Sequence, residues 1–202
     1  MFNFKGVDRS MLMKLVILHV GVIVVSNALV GIPVEIFGIK LTWAAFTFPI
    51  VVVATDLTIR LLGKQIARST IAVAYPFAIL GSIAVVMAEG APTSVALRIG
   101  FASATAYAIG TLLDVYVFQH IREKWSNNWW LAPAVSTVAA NIIDTYTFFF
   151  TAFSGSANEY MAANWMEIAG SQTILKIFVG LIVFLPAYGL LLNQLQKKYK
   201  LK

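Results

Sequence analysis

The chain has 202 residues, 59% of them hydrophobic and 12% charged, with a mean hydropathy of +0.81. Soluble domains carry about 25% charged residues, so this composition places the chain in a membrane, while the absence of cysteine and the presence of only two histidines argue against disulfides, thiolate chemistry and a metal centre. The net charge of +6 raises the question of nucleic acid, but that reading needs a basic face, and the basic residues here fall in the connections between apolar runs.

Six apolar stretches, about 12–30, 41–59, 70–88, 95–117, 129–153 and 172–194, each approach the roughly 20 residues that cross a bilayer as a helix. They predict an all-α membrane protein of six transmembrane helices forming one domain over 1–202. The first stretch is read as a retained helix, since it is long and lacks a small-residue cleavage site. The N-terminus carries Lys5, Arg9 and Lys14 against Asp8, and Glu35 and Lys40 follow the first stretch. Arg60, Lys64 and Arg68 mark the next connection, Glu89 the one after, then Arg122 and Lys124, then Glu159 and Glu167 in an expected outer loop at 154–171. The tail carries Lys197, Lys198, Lys200 and Lys202. The positive-inside rule then puts both termini in the cytoplasm. No Walker sequence or glycine-rich phosphate loop is present, so ATP coupling would need another subunit.

Polar residues inside the predicted helices carry the functional information. A carboxylate near a helix centre costs about 2.5–3.5 kcal/mol on the insertion scale, and three stand inside: Asp56 in "VVVATDLTIR", Asp114 in "IGTLLDVYVF" and Asp144 in "NIIDTYTFFF". At helical periodicity Ser103, Tyr107, Thr111 and Asp114 fall within about 80° of one another, and Thr137, Asn141, Asp144 and Phe148 within about 60°. Both stripes are expected to face the bundle, with His19, Ser26 and Asn27 of the first helix as a third wall. Asp56 and Arg60 have the i,i+4 spacing of an ion pair, which reads equally as structure at the interface or as gating. Asp114 reads as an interhelical hydrogen bond or as part of a transport path. Asp144 lies nearest the midplane with no base within a turn and reads as a ligand-binding group, with an interhelical role as the rival. Lys176, a turn inside the last helix, is placed to meet it. Trp43 and Trp165 read as interfacial belt residues or as stacking surfaces for a planar ligand. Pro49 and Pro186 are expected inside helices two and six, where each removes a backbone hydrogen bond. Gly100, Ala104 and Gly110 allow close helix packing, either within one chain or in a homo-oligomer.

The segments "SNALV" (26–30), "TWAAFTFPIVVVATDLTIR" (42–60), "LDVYVF" (113–118), "WWLAPAVSTVAANIIDTYTFFFTAF" (129–153), "NWMEIAG" (164–170) and "FLPAYGLLLN" (184–193) together resemble the queuosine precursor transporters of bacterial inner membranes, earlier grouped with vitamin-uptake proteins. That resemblance implies six membrane helices and uptake of 7-cyano- and 7-aminomethyl-7-deazaguanine, bases destined for tRNA modification, with no cofactor and no nucleic-acid partner. A deazaguanine presents N1–H and an exocyclic amine that a carboxylate accepts bidentately, a carbonyl suited to an amide, and a flat face suited to aromatics. Asp144 and Asn141 are therefore the expected readers of the base, with Asp114, Asn27, Thr137, Tyr107, Trp43, Trp165, Glu167 and Lys176 as candidate contributors. Two other classes compete: a substrate-binding subunit of an ATP-driven uptake system, and an intramembrane aspartyl protease using Asp114 and Asp144. Against the protease, neither aspartate stands in a Gly-x-Gly-Asp context.

Overall fold

The computed structural model describes residues 8–30, 33–36, 39–47 and 49–199. Lys5, Lys200 and Lys202, which bear on the expected orientation, lie outside them. The helices are α1 (Arg9–Val30), a short α2 (Ala44–Thr47), α3 (Pro49–Leu62), α4 (Lys64–Ala88), α5 (Thr93–Lys124), α6 (Leu131–Phe153), α7 (Glu159–Val179) and α8 (Leu185–Tyr199). A single π-helical turn, Gly180–Phe184, joins the last two into one long rod. Strands β1 (Pro33–Ile36) and β2 (Ile39–Thr42) form an antiparallel hairpin after α1.

The protein is thus built from six helical segments, counting α7 and α8 as one and leaving aside α2. Four of them, Arg9–Leu29, Lys64–Ala88, Thr93–Lys124 and Glu159–Lys198, are long and apolar enough to cross a membrane. In α6, 23 residues long, the apolar surface is interrupted by Asn141 and Asp144 and by hydroxyls.

Several boundaries depart from the sequence reading. The expected second helix at 41–59 is instead strand, short helix and a 14-residue α3 that Pro49 opens. Proline is tolerated there because the first N–H of a helix has no intrahelical acceptor; Pro49 therefore does not interrupt a helix. Helix α4 begins at Lys64 and α5 runs to Lys124, because Gln119, Arg122 and Lys124 are good helix formers although they are polar. Most of the expected outer loop at 154–171 belongs to α7, which Asn158 caps by accepting from the Met161 N–H at 3.1 Å.

In the interior, residue size follows membrane logic. Ala74, Ala78, Ala102 and Ala104 are fully buried, whereas Leu80, Phe101, Ile174 and Phe178 are more than half exposed. Small residues let helix backbones approach, and large apolar ones face lipid. Helix α5 packs against α4 on one side and α6 on the other; α1 lies on α4, α7 on α6, and α3 sits against α4, α5 and α8. The glycines show where approach is tightest. A Cβ at Gly100 would run into the Ile83 side chain of α4, and one at Gly110 would lie 2.6 Å from the Asp144 Cβ of α6. The small-residue stripe of α5 is therefore used inside the monomer. Arg98 closes the far end of α6: its guanidinium donates to the carbonyls of Thr151, Ser154 and Gly155, acceptors that the helix end leaves without partners.

Candidate functional site

Helix α6 supplies Ser136, Thr137, Asn141, Asp144 and Thr145, all buried. Because Gly110 lacks a side chain, α5 meets α6 at Asp144 itself. The carboxylate, 3% exposed, receives the Lys176 ammonium of α7 at 3.2 Å on Oδ2 and the Thr145 hydroxyl at 3.3 Å on Oδ1. Lys176 also donates to Thr145 Oγ1 at 3.0 Å. The expected meeting of Asp144 and Lys176 is realised. Their charges cancel, and each has a further hydrogen-bonding partner, the condition under which a buried pair is tolerated.

One turn away, Asn141 is fully buried, and among the described residues neither its Oδ1 nor its Nδ2 has a hydrogen-bond partner. A primary amide left this way costs about 1–3 kcal/mol per group, so such groups in a native protein call for a reason. Its neighbourhood is built by the π-helical turn. Pro186 cannot donate and its ring crowds the carbonyl four residues back; the chain absorbs this by widening, with the Leu185 N–H bonded to the Gly180 carbonyl. A turn of this kind often marks a functional site. Gly180 presses against α6 so closely that a Cβ there would lie 2.9 Å from Thr137 Cγ2 and 3.7 Å from Asn141 Nδ2.

The second centre was not legible in advance. Asp56 of α3 and Asp114 of α5 are 1% and 0% exposed, and the two carboxyl groups interact across the α3–α5 contact. The Ser136 hydroxyl donates to Asp56 Oδ1 at 3.4 Å, while among the described residues neither Asp114 oxygen accepts a hydrogen bond. No ion pair joins Asp56 to Arg60 among the described residues, so the i,i+4 spacing is not used as one. The Arg122 guanidinium donates to the Arg60 backbone carbonyl at 3.5 Å, and among the described residues the buried Arg60 Nη1 has no hydrogen-bond partner. Asp56 also opens onto a narrow cleft shared by Pro49, Val52, Thr137, Phe184 and Tyr188. Tyr188 is 1% exposed, and its hydroxyl has no partner among the described residues.

The remaining candidates fall into structural roles or stand apart. Tyr107 shares a 2.9 Å hydrogen bond with His19 Nδ1. Asn27 donates to Ser82 at 2.6 Å and accepts from Ser103 at 3.0 Å, tying α1, α4 and α5 together. Trp43 is about half exposed and rests on Phe46, while Trp165 packs edge-on to Phe150. Glu167 is exposed. Trp125 is 71% exposed and leans edge-on against His120. Ser136, Thr145 and Tyr188 escaped the sequence reading, although a tyrosine two residues after Pro186 and hydroxyls flanking the α6 stripe were visible signals.

A bundle with an apolar exterior and with acids, amides and hydroxyls turned inward has the build of a multi-pass membrane protein whose interior is polar, a construction used by transporters. A family profile described as "Putative vitamin uptake transporter" matches residues 42–191. The chain is 42% identical over 191 residues to the "Queuosine precursor transporter" of Escherichia coli, covering 89% of this chain and 86% of that protein. It is 34% identical over 216 residues to the "Probable queuosine precursor transporter" of Haemophilus influenzae, covering 96% and 91%, and 28% identical over 182 residues to that of Bacillus subtilis, covering 82% and 78%. No solved structure matches the chain significantly. The chain belongs to the queuosine precursor transporter family, a family of transporters and not of proteases. Consistently, Asp144 is paired with Lys176 and makes no hydrogen bond to Asp114 among the described residues.

Proposed function

We propose that this protein imports queuosine precursors, 7-deazaguanine bases, across the bacterial inner membrane for use in tRNA modification. It does so as one transporter domain that crosses the membrane six times with both termini in the cytoplasm. The base edge is read at the α6 stripe by Asn141 and Asp144, with Thr137 beside them and Lys176 setting the geometry of the carboxylate.

The observation that carries this reading is the Asn141 side chain, buried with its donor and its acceptor both unengaged. An amide in that state is a cost with no structural return, and a guanine-like edge supplies the matching acceptor and donor. Asp144 is held in place by Lys176 and Thr145. An ionised carboxylate retains further lone-pair capacity for N1–H and the exocyclic amine.

The test is Asn141→Leu, followed by uptake of labelled 7-cyano-7-deazaguanine in cells unable to make the base and by thermal unfolding in detergent. Removing an unpartnered amide should leave stability unchanged or higher by about 1 kcal/mol, while uptake falls at least about tenfold, the loss of one buried hydrogen bond or more. Wild-type uptake by this variant at normal abundance would remove Asn141 from the site. Failure of the unsubstituted protein to move the base would remove the transport reading itself.

A further inference from the structure

Resting on the transport reading above, we infer that Asp56 and Asp114 share a single exchangeable proton and form the coupling site of a proton-driven carrier, separate from the base-binding stripe.

The geometry is that of a carboxyl dyad. Two acidic groups from different helices face each other in the interior, essentially without solvent contact, and among the described residues neither is ion-paired. Both Asp114 oxygens lack a conventional donor. Two carboxylates in contact cannot both remain ionised away from water; one proton held between them turns a repulsion into a hydrogen bond. Ser136 supplies a hydroxyl to the same cluster.

Charged and titratable neighbours are few, and none neutralises the dyad. From α8, the Tyr188 hydroxyl lies within electrostatic range of both carboxyls and of Arg60 and Arg122. Arg60 on α3 and Arg122 on α5 stand toward one end, with Glu123 beside Arg122. The bases at the start of α4, Lys64 and Arg68, make no ion pair with either aspartate among the described residues. From α1, His19 is bonded to Tyr107, two turns along α5 from Asp114. On α6, Asp144 is already matched by Lys176.

An independent feature points to exchange. Asp56 lines the narrow cleft between α3, α6 and the π-helical turn, and the buried, unpartnered Tyr188 hydroxyl lines the same cleft. Water entering there would reach the dyad through a group able both to donate and to accept. Loading forms an O–H bond on one carboxyl with a proton taken from water on the outer side. Release breaks that bond to water on the inner side, when α3 and α5 part enough to hydrate both groups. Ser136 and Asn141 are five residues apart on α6, about 7.5 Å along the axis, so an occupant of the stripe and the protonation of the dyad can act on the same stretch of helix.

The test uses the full chain in liposomes of bacterial polar lipid with the membrane potential clamped at zero. With an inward gradient of one pH unit and equal 7-cyano-7-deazaguanine on both sides, one proton per neutral base predicts about tenfold accumulation. Asp56→Asn and Asp114→Asn should abolish that accumulation while keeping base-for-base exchange. Infrared spectra of the unsubstituted protein should show a protonated carboxyl band, which either variant removes. Exchange without accumulation in the unsubstituted protein would overturn the coupling site and leave the transport reading standing. Absence of exchange as well would overturn the transport reading. Accumulation driven only by a sodium gradient, or an infrared spectrum without the protonated carboxyl, would also overturn the proposal. Should the asparagine variants fail to fold, Ser136→Ala and the infrared spectrum of the unsubstituted protein decide it.

Discussion

Two buried acidic centres sit within a few turns of each other on the same helical scaffold, and they meet the cost of burial differently. Asp144 has an ammonium from α7 and a hydroxyl from its own helix. Asp56 and Asp114 have each other and Ser136. In the first, opposite charges face each other and cancel. In the second, like groups are brought together, and the neutral form of one is required. The difference teaches that depth alone does not assign a role to an intramembrane carboxylate; the partner does.

Breaking this contrast should begin at the ion pair, where the effect is largest. Asp144→Ala leaves the Lys176 ammonium without its carboxylate, and removing one member of a buried pair costs about 3–5 kcal/mol. Uptake should vanish and the unfolding temperature should fall. The double variant Asp144→Leu with Lys176→Met should recover most of the stability but none of the uptake, which separates the scaffold role from recognition. Uptake restored by the double variant would contradict the assignment of Asp144.

Next is the contact that lets α5 reach the stripe. Gly110→Ala places a Cβ within 2.6 Å of the Asp144 Cβ, and overpacking of this kind costs about 1–3 kcal/mol. The loss should show in thermal unfolding together with reduced uptake, because the carboxylate itself must shift. Gly21→Ala, where nothing lies within 4 Å, is the control and should change neither.

A smaller effect is expected at Asn27. Its bonds to Ser82 and Ser103 join three helices, and membrane interhelical hydrogen bonds are worth about 0.6–1.7 kcal/mol. Asn27→Ala should lower stability by about that amount with uptake scaling only with abundance. A specific loss of uptake would return Asn27 to the site.

Smallest of all should be the stability change at the dyad. Asp114→Asn replaces a protonated carboxyl by an amide of the same shape, so unfolding should move by less than about 1 kcal/mol. That is the opposite of Asp144→Ala, and equal destabilisation by the two would erase the distinction between the centres.

Much of the fold was legible because membrane burial leaves strong marks on a sequence. Five of the six expected stretches, and the inward face of each polar stripe, follow from apolar length and a 3.6-residue period. Helix ends were less legible. Hydropathy stops where the bilayer stops, whereas backbone hydrogen bonding continues, so α5 runs on to Lys124 and α7 begins at Glu159. The break before Pro49 was hidden within an apolar run that reads as one helix but folds as strand, short helix and α3.

By itself the sequence determined that the chain is a helical membrane protein, that its acids must be buried, and that the Thr137–Asn141–Asp144 face points inward, since these follow from composition and local periodicity. Tertiary structure decided which acid met which partner. Asp56 was assigned to Arg60 on spacing along one helix, but the side chain is governed by what α5 and α6 bring across from 58 and 80 residues away, Asp114 and Ser136. Lys176 and Asp144 could be matched in advance as opposite charges of similar depth. Two like charges brought together to share a proton have no local signature, because their pairing is a property of helix packing and not of either helix alone.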